Sequence, residues 1–132
     1  MTAPIEHIRL SQQAREQLIL LKRRTGIQNW NVLCRWAFCV SLADAEPPAN
    51  ARIPADSSVE MTWKVFAGPN HELYLALLRH RCLVDGTGVD EEVLAQQFRL
   101  HLHRGIGLLA GTPTIQRIGD LVRLASRSAP PE

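Results

Sequence analysis

The stretch Trp30-Asn31-Val32-Leu33-Cys34-Arg35-Trp36-Ala37-Phe38-Cys39-Val40 constrains this chain more than any other. Wound as an α-helix, it carries apolar groups on nearly every side, and a helix that is apolar all round must be buried all round. In a single domain of 132 residues, one helix can be the central one. It can equally be half covered by another subunit. The pattern predicts a mixture of the two, and hence an oligomer. Apolar residues make up 45% and charged residues 21%, ordinary for a globular fold. Residues 1–126 are read as one helical domain and 127–132 as a flexible tail.

The flanking segments predict a mostly α fold of about five helices with a short extended start. From Ile5 to Leu10, Ile8 and Leu10 share one face while His7 and Arg9 take the other. Ser11 is a good N-cap for a helix over Gln12–Thr25, in which Ala14, Leu18 and Leu21 form a core stripe. Gly26 supplies the left-handed residue that ends helices, and Asn29 is placed to cap the apolar helix. Pro47 and Pro48 stop that helix, and residues 47–68 read as an irregular connection with a short extended piece at Met61–Phe66, where Trp63 and Val65 share a face. A third helix follows Pro69 to about Cys82 or Val84, with Leu73, Leu77 and Leu78 as core candidates. Asp85 to Gly88 is a turn. Asp90 caps a fourth helix bearing Leu94, Phe98 and Leu102; Gly105 and Gly107 then mark a place where backbones approach closely. Pro113 opens a last helix with a stripe of Ile118, Leu121, Val122 and Ala125.

Most chemistries are disfavoured by spacing. His101 and His103 lie two apart and Cys34 and Cys39 five apart, which on a helix turns the side chains by about 200° and 140°. Neither pair converges on a metal, and no CxxC or His-Glu-x-x-His occurs. His101 is expected to pack or hydrogen-bond, and His103 to face solvent or a partner. Cys34, Cys39 and Cys82 are expected to be buried, structural and reduced, as in a cytoplasmic protein. No G-x-S-x-G or P-loop motif is present. The first six residues lack the apolar core of a signal peptide, and no apolar run reaches 18 residues. The expectation is a protein without catalytic centre, metal or cofactor.

Net charge is only +2, but its distribution is uneven. Residues 1–40 hold six basic side chains against two acids, and residues 41–72 hold two against five. Extended segment, helix, glycine turn, helix is the order of a ribbon–helix–helix unit, in which two copies pair their strands and the ribbon enters a DNA groove. The turn Thr25–Asn29 would place free N–H groups near a phosphate, with Lys22, Arg23 and Arg24 adding charge. The same three residues also suit a solvated helix end that complements its dipole. The pattern alone leaves both readings open.

Several longer strings carry a resemblance. Ile8-Arg9-Leu10-Ser11, Leu21-Lys22-Arg23-Arg24-Thr25-Gly26-Ile27, Asn29-Trp30-Asn31-Val32-Leu33-Cys34-Arg35-Trp36-Ala37, Ile53-Pro54-Ala55-Asp56-Ser57 and Gln97-Phe98-Arg99-Leu100-His101-Leu102-His103-Arg104-Gly105-Ile106-Gly107 resemble the DndE family. That family is the small component of bacterial DNA sulfur modification (phosphorothioation). The likeness spans roughly residues 5–125. It implies a helical tetramer that binds double-stranded DNA, nicked DNA in particular, through a basic surface. It also implies action beside a cysteine desulfurase, an iron–sulfur protein and an ATPase, with no catalytic centre of its own. Part of the family is associated with lysine-rich surfaces, whereas only Lys22 and Lys64 occur here, so arginine would carry the phosphate contacts. Arg9, Arg15, Lys22, Arg23 and Arg24 are the leading phosphate contacts. Arg99, Arg104, Arg117 and Arg123 rank second, and Arg35 falls lower because its helix is apolar. The rival reading is an assembly scaffold for the sulfur-modification proteins, favoured by near-neutral charge and the apolar helix; a sulfur-carrying role for Cys82 ranks third.

Overall fold

A computed structural model describes residues 5–112 and 114–127. Local chemistry sets its first quarter. In β1 (His7–Arg9) Ile8 is buried while His7 and Arg9 are exposed, as the alternation requires. Ser11 adopts extended backbone and its Oγ accepts from the Ala14 N–H at 3.1 Å, so α1 (Gln12–Thr25) begins where the cap predicts. Ala14, Leu18 and Leu21 are buried. Gly26 ends the helix at φ 76°, its N–H donating to the Lys22 carbonyl at 2.9 Å.

The extended start pairs antiparallel with β2 (Glu60–Thr62), placing His7 opposite Thr62, Ile8 opposite Met61 and Arg9 opposite Glu60. The strand's neighbour is thus a segment of the same chain, whereas a ribbon–helix–helix pairs two copies. On the other side of β1, Arg99 donates to the Arg9 carbonyl at 2.6 Å.

α2 (Trp30–Ala43) buries Leu33, Cys34, Ala37, Phe38 and Ser41. Asn29 stands at the N-cap position, but its side chain makes no capping bond. Val32, Trp36 and Val40 remain half-buried and Cys39 is exposed, so the burial expected for all three cysteines fails at Cys39. α5 (Glu91–Ala110) lies along α2 and buries Leu94, Phe98 and Leu102. It runs straight through Gly105 and Gly107, where the sequence reading had the helix finished. A Cβ on Gly105 would fall on the Ala37 backbone, so this glycine serves helix–helix approach.

Three further expectations need correction. Met61–Phe66 is half strand and half helix: after β2, the Thr62 hydroxyl accepts from the Val65 N–H at 3.2 Å and starts the short α3 (Trp63–Ala67). Trp63 is therefore buried while Val65 is exposed, rather than sharing a face. In α4 (His71–Asp85), only Leu78 of the three core candidates is buried; Leu73 is 57% and Leu77 38% exposed. The helix sits at the edge of the fold, against α3 and α5, and has one covered flank. In α6 (Ile118–Arg127), Leu121 is buried but Ile118 and Val122 are more than half exposed. Pro113, residues 128–132 and the Ala125 side chain lie outside what is described.

Phe38, Phe66, Phe98 and Trp63 form an aromatic cluster, with the Phe66 and Phe98 ring centres 4.9 Å apart and edge-to-face. The last carbonyls of α2 and its exit lack helical partners. Arg81 donates to the Leu42 and Glu46 carbonyls at 2.9 and 2.8 Å, and Arg104 to the Ser41 and Glu46 carbonyls at 2.8 and 2.7 Å. Asp85 balances Arg81 at 2.8 Å. No helix among the described residues is long and apolar enough to cross a membrane.

Candidate nucleic-acid interface

The five leading basic residues do not form one patch. At about 100° per residue, Arg15 and Lys22 fall on one flank of α1, Arg23 on its outer crest, and the core stripe on the inner side. Arg15 and Arg23 have no acidic partner among the described residues, and Arg23 is exposed. The Lys22 ammonium sits 3.6 Å from the centre of the Trp30 ring, a cation–π contact that leaves the charge uncancelled. These three residues span about 100° of one side of the helix, a side that Glu16 and Ile19 share.

Arg9 and Arg24 are committed elsewhere. Arg9 donates to the Ser57 carbonyl at 3.1 Å and to Glu60 Oε2 at 2.9 Å, and His7 Nδ1 stands 3.8 Å from the same carboxylate. The register of β1 on β2 puts Glu60 directly opposite Arg9, which the sequence could not reveal. Arg24 donates to the Ala110 carbonyl at 3.1 Å, at the end of α5. It satisfies a helix terminus there and keeps its charge.

The second-rank arginines are mostly internal. Arg99 donates to the Arg9, Ile53 and Pro54 carbonyls and pins the 51–56 connection to β1. Arg104 belongs to the α2 terminus, with Asp44 at 3.9 Å. Arg35 donates to the Phe66 and Val65 carbonyls, closing the end of α3. Arg117 and Arg123 are exposed beside Asp120, to which Arg123 lies at 3.4 Å. Exposed Arg52 was not singled out from sequence, because its neighbours in space come from α1 and α5.

The two histidines are also structural. Ser41 Oγ accepts from Arg104 Nε at 2.8 Å and lies 2.8 Å from His101 Nδ1, leaving the hydroxyl proton to bond the neutral ring. Burial, then the charges of Arg104 and Arg81, lower the His101 pKa to about 4. His103 was expected at the surface, but its Nε2 accepts from the Ser11 N–H at 3.2 Å and its Nδ1 lies 2.9 Å from the Arg99 carbonyl. Burial chiefly depresses its pKa as well. The pair diverges into separate partners, and no group of three or more metal-ligating side chains gathers among the described residues. Burial raises the Cys34 thiol to about 12 and also lifts Cys39 and Cys82, which disfavours the thiolate.

Two concave surfaces stand out. One is a groove of about 420 Å³ between α1, α5 and the 51–56 connection. The other is a shallower apolar hollow of about 300 Å³ against Val32, Trp36, Cys39 and Tyr74, on the open flank of α2.

Among the described residues, six α-helices, one two-stranded sheet and basic side chains along the first helix define a small, mostly helical protein. The family described as DNA sulphur modification protein DndE matches residues 7–117, and the chain belongs to that family. The crystal structure of DndE from Escherichia coli B7A, described as involved in DNA phosphorothioation modification, is similar in fold with a TM-score of 0.68. It is 21% identical over 82% of this chain and 99% of its own. A DndE double glycine-to-lysine mutant gives a TM-score of 0.60 at 18% identity, over 79% of this chain and 97% of its own. No curated protein sequence matches the chain.

Proposed function

We propose that this protein is a non-catalytic, DNA-binding component of DNA sulfur modification, holding the backbone of double-stranded DNA, nicked duplex included, against α1 of an oligomer. Membership of the DndE family supports the sulfur-modification setting. The observation that carries the DNA reading is that Arg15, Lys22 and Arg23 share one helix face without an acidic partner among the described residues. Contacts of this kind position a phosphate backbone without reading bases. Assembly multiplies the face, and the open flank of α2, with Trp36 half-buried and Cys39 exposed, is where oligomer contacts would form; a tetramer is favoured. The working compartment is the cytoplasm, beside a cysteine desulfurase, an iron–sulfur protein and an ATPase.

A gel shift with intact and nicked duplex tests this, combined with light scattering for the assembly state. Changing Arg15, Lys22 and Arg23 together to Ala should abolish the shift at ~0.1 M salt, where exposed charges still act across about a Debye length. In the native protein log affinity should fall steeply with log salt, by about 0.9 per phosphate contacted. Unchanged binding by the triple variant would remove this face from the reading.

A second reading is an assembly scaffold that contacts DNA weakly. The exposed Leu73 and Leu77 of α4, close to the Tyr74 hollow, favour it. A pull-down with the sulfur-modification proteins that survives the triple variant, in a protein that shifts neither duplex, would establish the scaffold instead.

A further inference from the structure

We propose that the groove between α1, α5 and the 51–56 connection takes one unstacked nucleotide at a break in a DNA strand, a proposal that rests on the backbone reading above. The groove's volume, about 420 Å³, lies within the usual range of small-molecule sites, roughly 300–1,000 Å³. That suits one nucleotide and is too small for a folded segment of a partner.

Its chemistry is divided in the way a base requires. Ala14, Ile53, Pro54 and Gly107 supply an apolar wall and floor for a flat ring. Gly107 keeps that floor open: a Cβ there would meet only Gln17 Nε2, at 3.9 Å. Gln13 and Gln17 each bring an amide that both donates and accepts, with no partner among the described residues. Such groups suit the mixed donor and acceptor edge of a base. Asp56 Oδ1 already accepts the Gln12 N–H at 2.8 Å, which leaves Oδ2 for an amino group. That carboxylate also disfavours a bare phosphate deep in the groove. Arg52 supplies an exposed cation at the rim, where the nucleotide's own phosphate would stay.

Position completes the case. Gln13 and Gln17 occupy the flank of α1 opposite Arg15 and Lys22, with Arg23 on the crest between them. A duplex laid across that crest would touch the basic flank on one side and stand over the groove on the other. A base beside a strand break unstacks at lower cost than one inside an intact duplex, so the groove would favour nicked DNA. The preference would then come from a pocket for a base, separate from the cations that hold the backbone.

The test uses the full chain and two duplexes of one sequence, intact and singly nicked. Each carries 2-aminopurine, whose emission rises on unstacking, and in the nicked duplex the probe is the terminal base at the nick. The native protein should raise the emission only at the nick and bind the nicked duplex about tenfold more tightly. Gly107→Leu fills the groove with a better helix former. It should flatten the emission and bring the two affinities together, leaving intact-duplex binding within about twofold, well short of the tenfold that 1.4 kcal/mol represents. Arg52→Ala, at an exposed side chain with no partner among the described residues, should lower only the nicked-duplex affinity. An undiminished emission rise in Gly107→Leu overturns the proposal. So does native protein that shifts both duplexes without a rise, which leaves the backbone reading standing. Native protein that shifts neither duplex defeats the backbone reading, and this proposal with it. If Gly107→Leu instead loses a partner protein while DNA binding is unchanged, the groove is a peptide site and the proposal falls.

Discussion

The arginines at the end of α2 and the cations on α1 are the same chemistry in opposite settings. Arg81 and Arg104 point inward, each spread over two backbone carbonyls, with Asp85 buried beside Arg81. Arg15 and Arg23 point outward and find no acid among the described residues. One set completes the fold's backbone hydrogen bonding; the other completes none of it among the described residues. Counting charges along a chain treats the sets alike, whereas their effects on stability and on binding should be nearly exclusive.

That contrast can be broken in order of expected damage. The seam that holds the inward set depends on Gly105 against Ala37. Gly105→Val should cost more than about 4 kcal/mol, because two packed backbones must separate, and a thermal melt should show no cooperative native transition. Arg81→Ala comes next, at about 3–5 kcal/mol, since it strands a buried Asp85 and two carbonyls. Its melting temperature should fall sharply, while the protein that remains folded at low temperature binds DNA as before.

Acid should produce a smaller, graded loss. The folded pKa of His101 is depressed to about 4, below its unfolded value near 6.5. The unfolded chain therefore binds the extra proton first, and stability is fully present above about pH 6.5 and falls as pH drops toward 4. His103, also depressed, acts in the same direction. Melts across this range should show the decline, and His101→Asn should flatten part of it. The smallest effect on the fold belongs to the outward set: the Arg15, Lys22 and Arg23 triple alanine should melt within about 1 kcal/mol of the native protein. A large loss there would show that these cations are structural after all.

The same division explains what could be read from sequence. Ser11, the Ala14–Leu18–Leu21 stripe and Gly26 placed α1 at its true ends because caps and stripes act over a few residues. Gly105 reads from sequence as a close approach of backbones, but not as a residue inside a continuing helix, because the α2 backbone it meets lies far away in sequence. Leu73 and Leu77 carry a core-like spacing, yet nothing in their own helix tells which flank its neighbours will cover. The candidate site suffered most. Arg15, Lys22 and Arg23 were legible as surface cations, but Arg9 is paired through strand register with Glu60, and Arg99 and Arg104 answer carbonyls dozens of residues distant. The groove was invisible because three separated segments build it.

The contact between Lys22 and Trp30 gives the molecule an optical handle. A phosphate that draws the ammonium away must replace an attraction of about 0.5–1 kcal/mol, so Lys22 yields less net affinity than the unattached Arg23 beside it. The indole left uncovered would report that exchange as a change in its own fluorescence, with no dye attached.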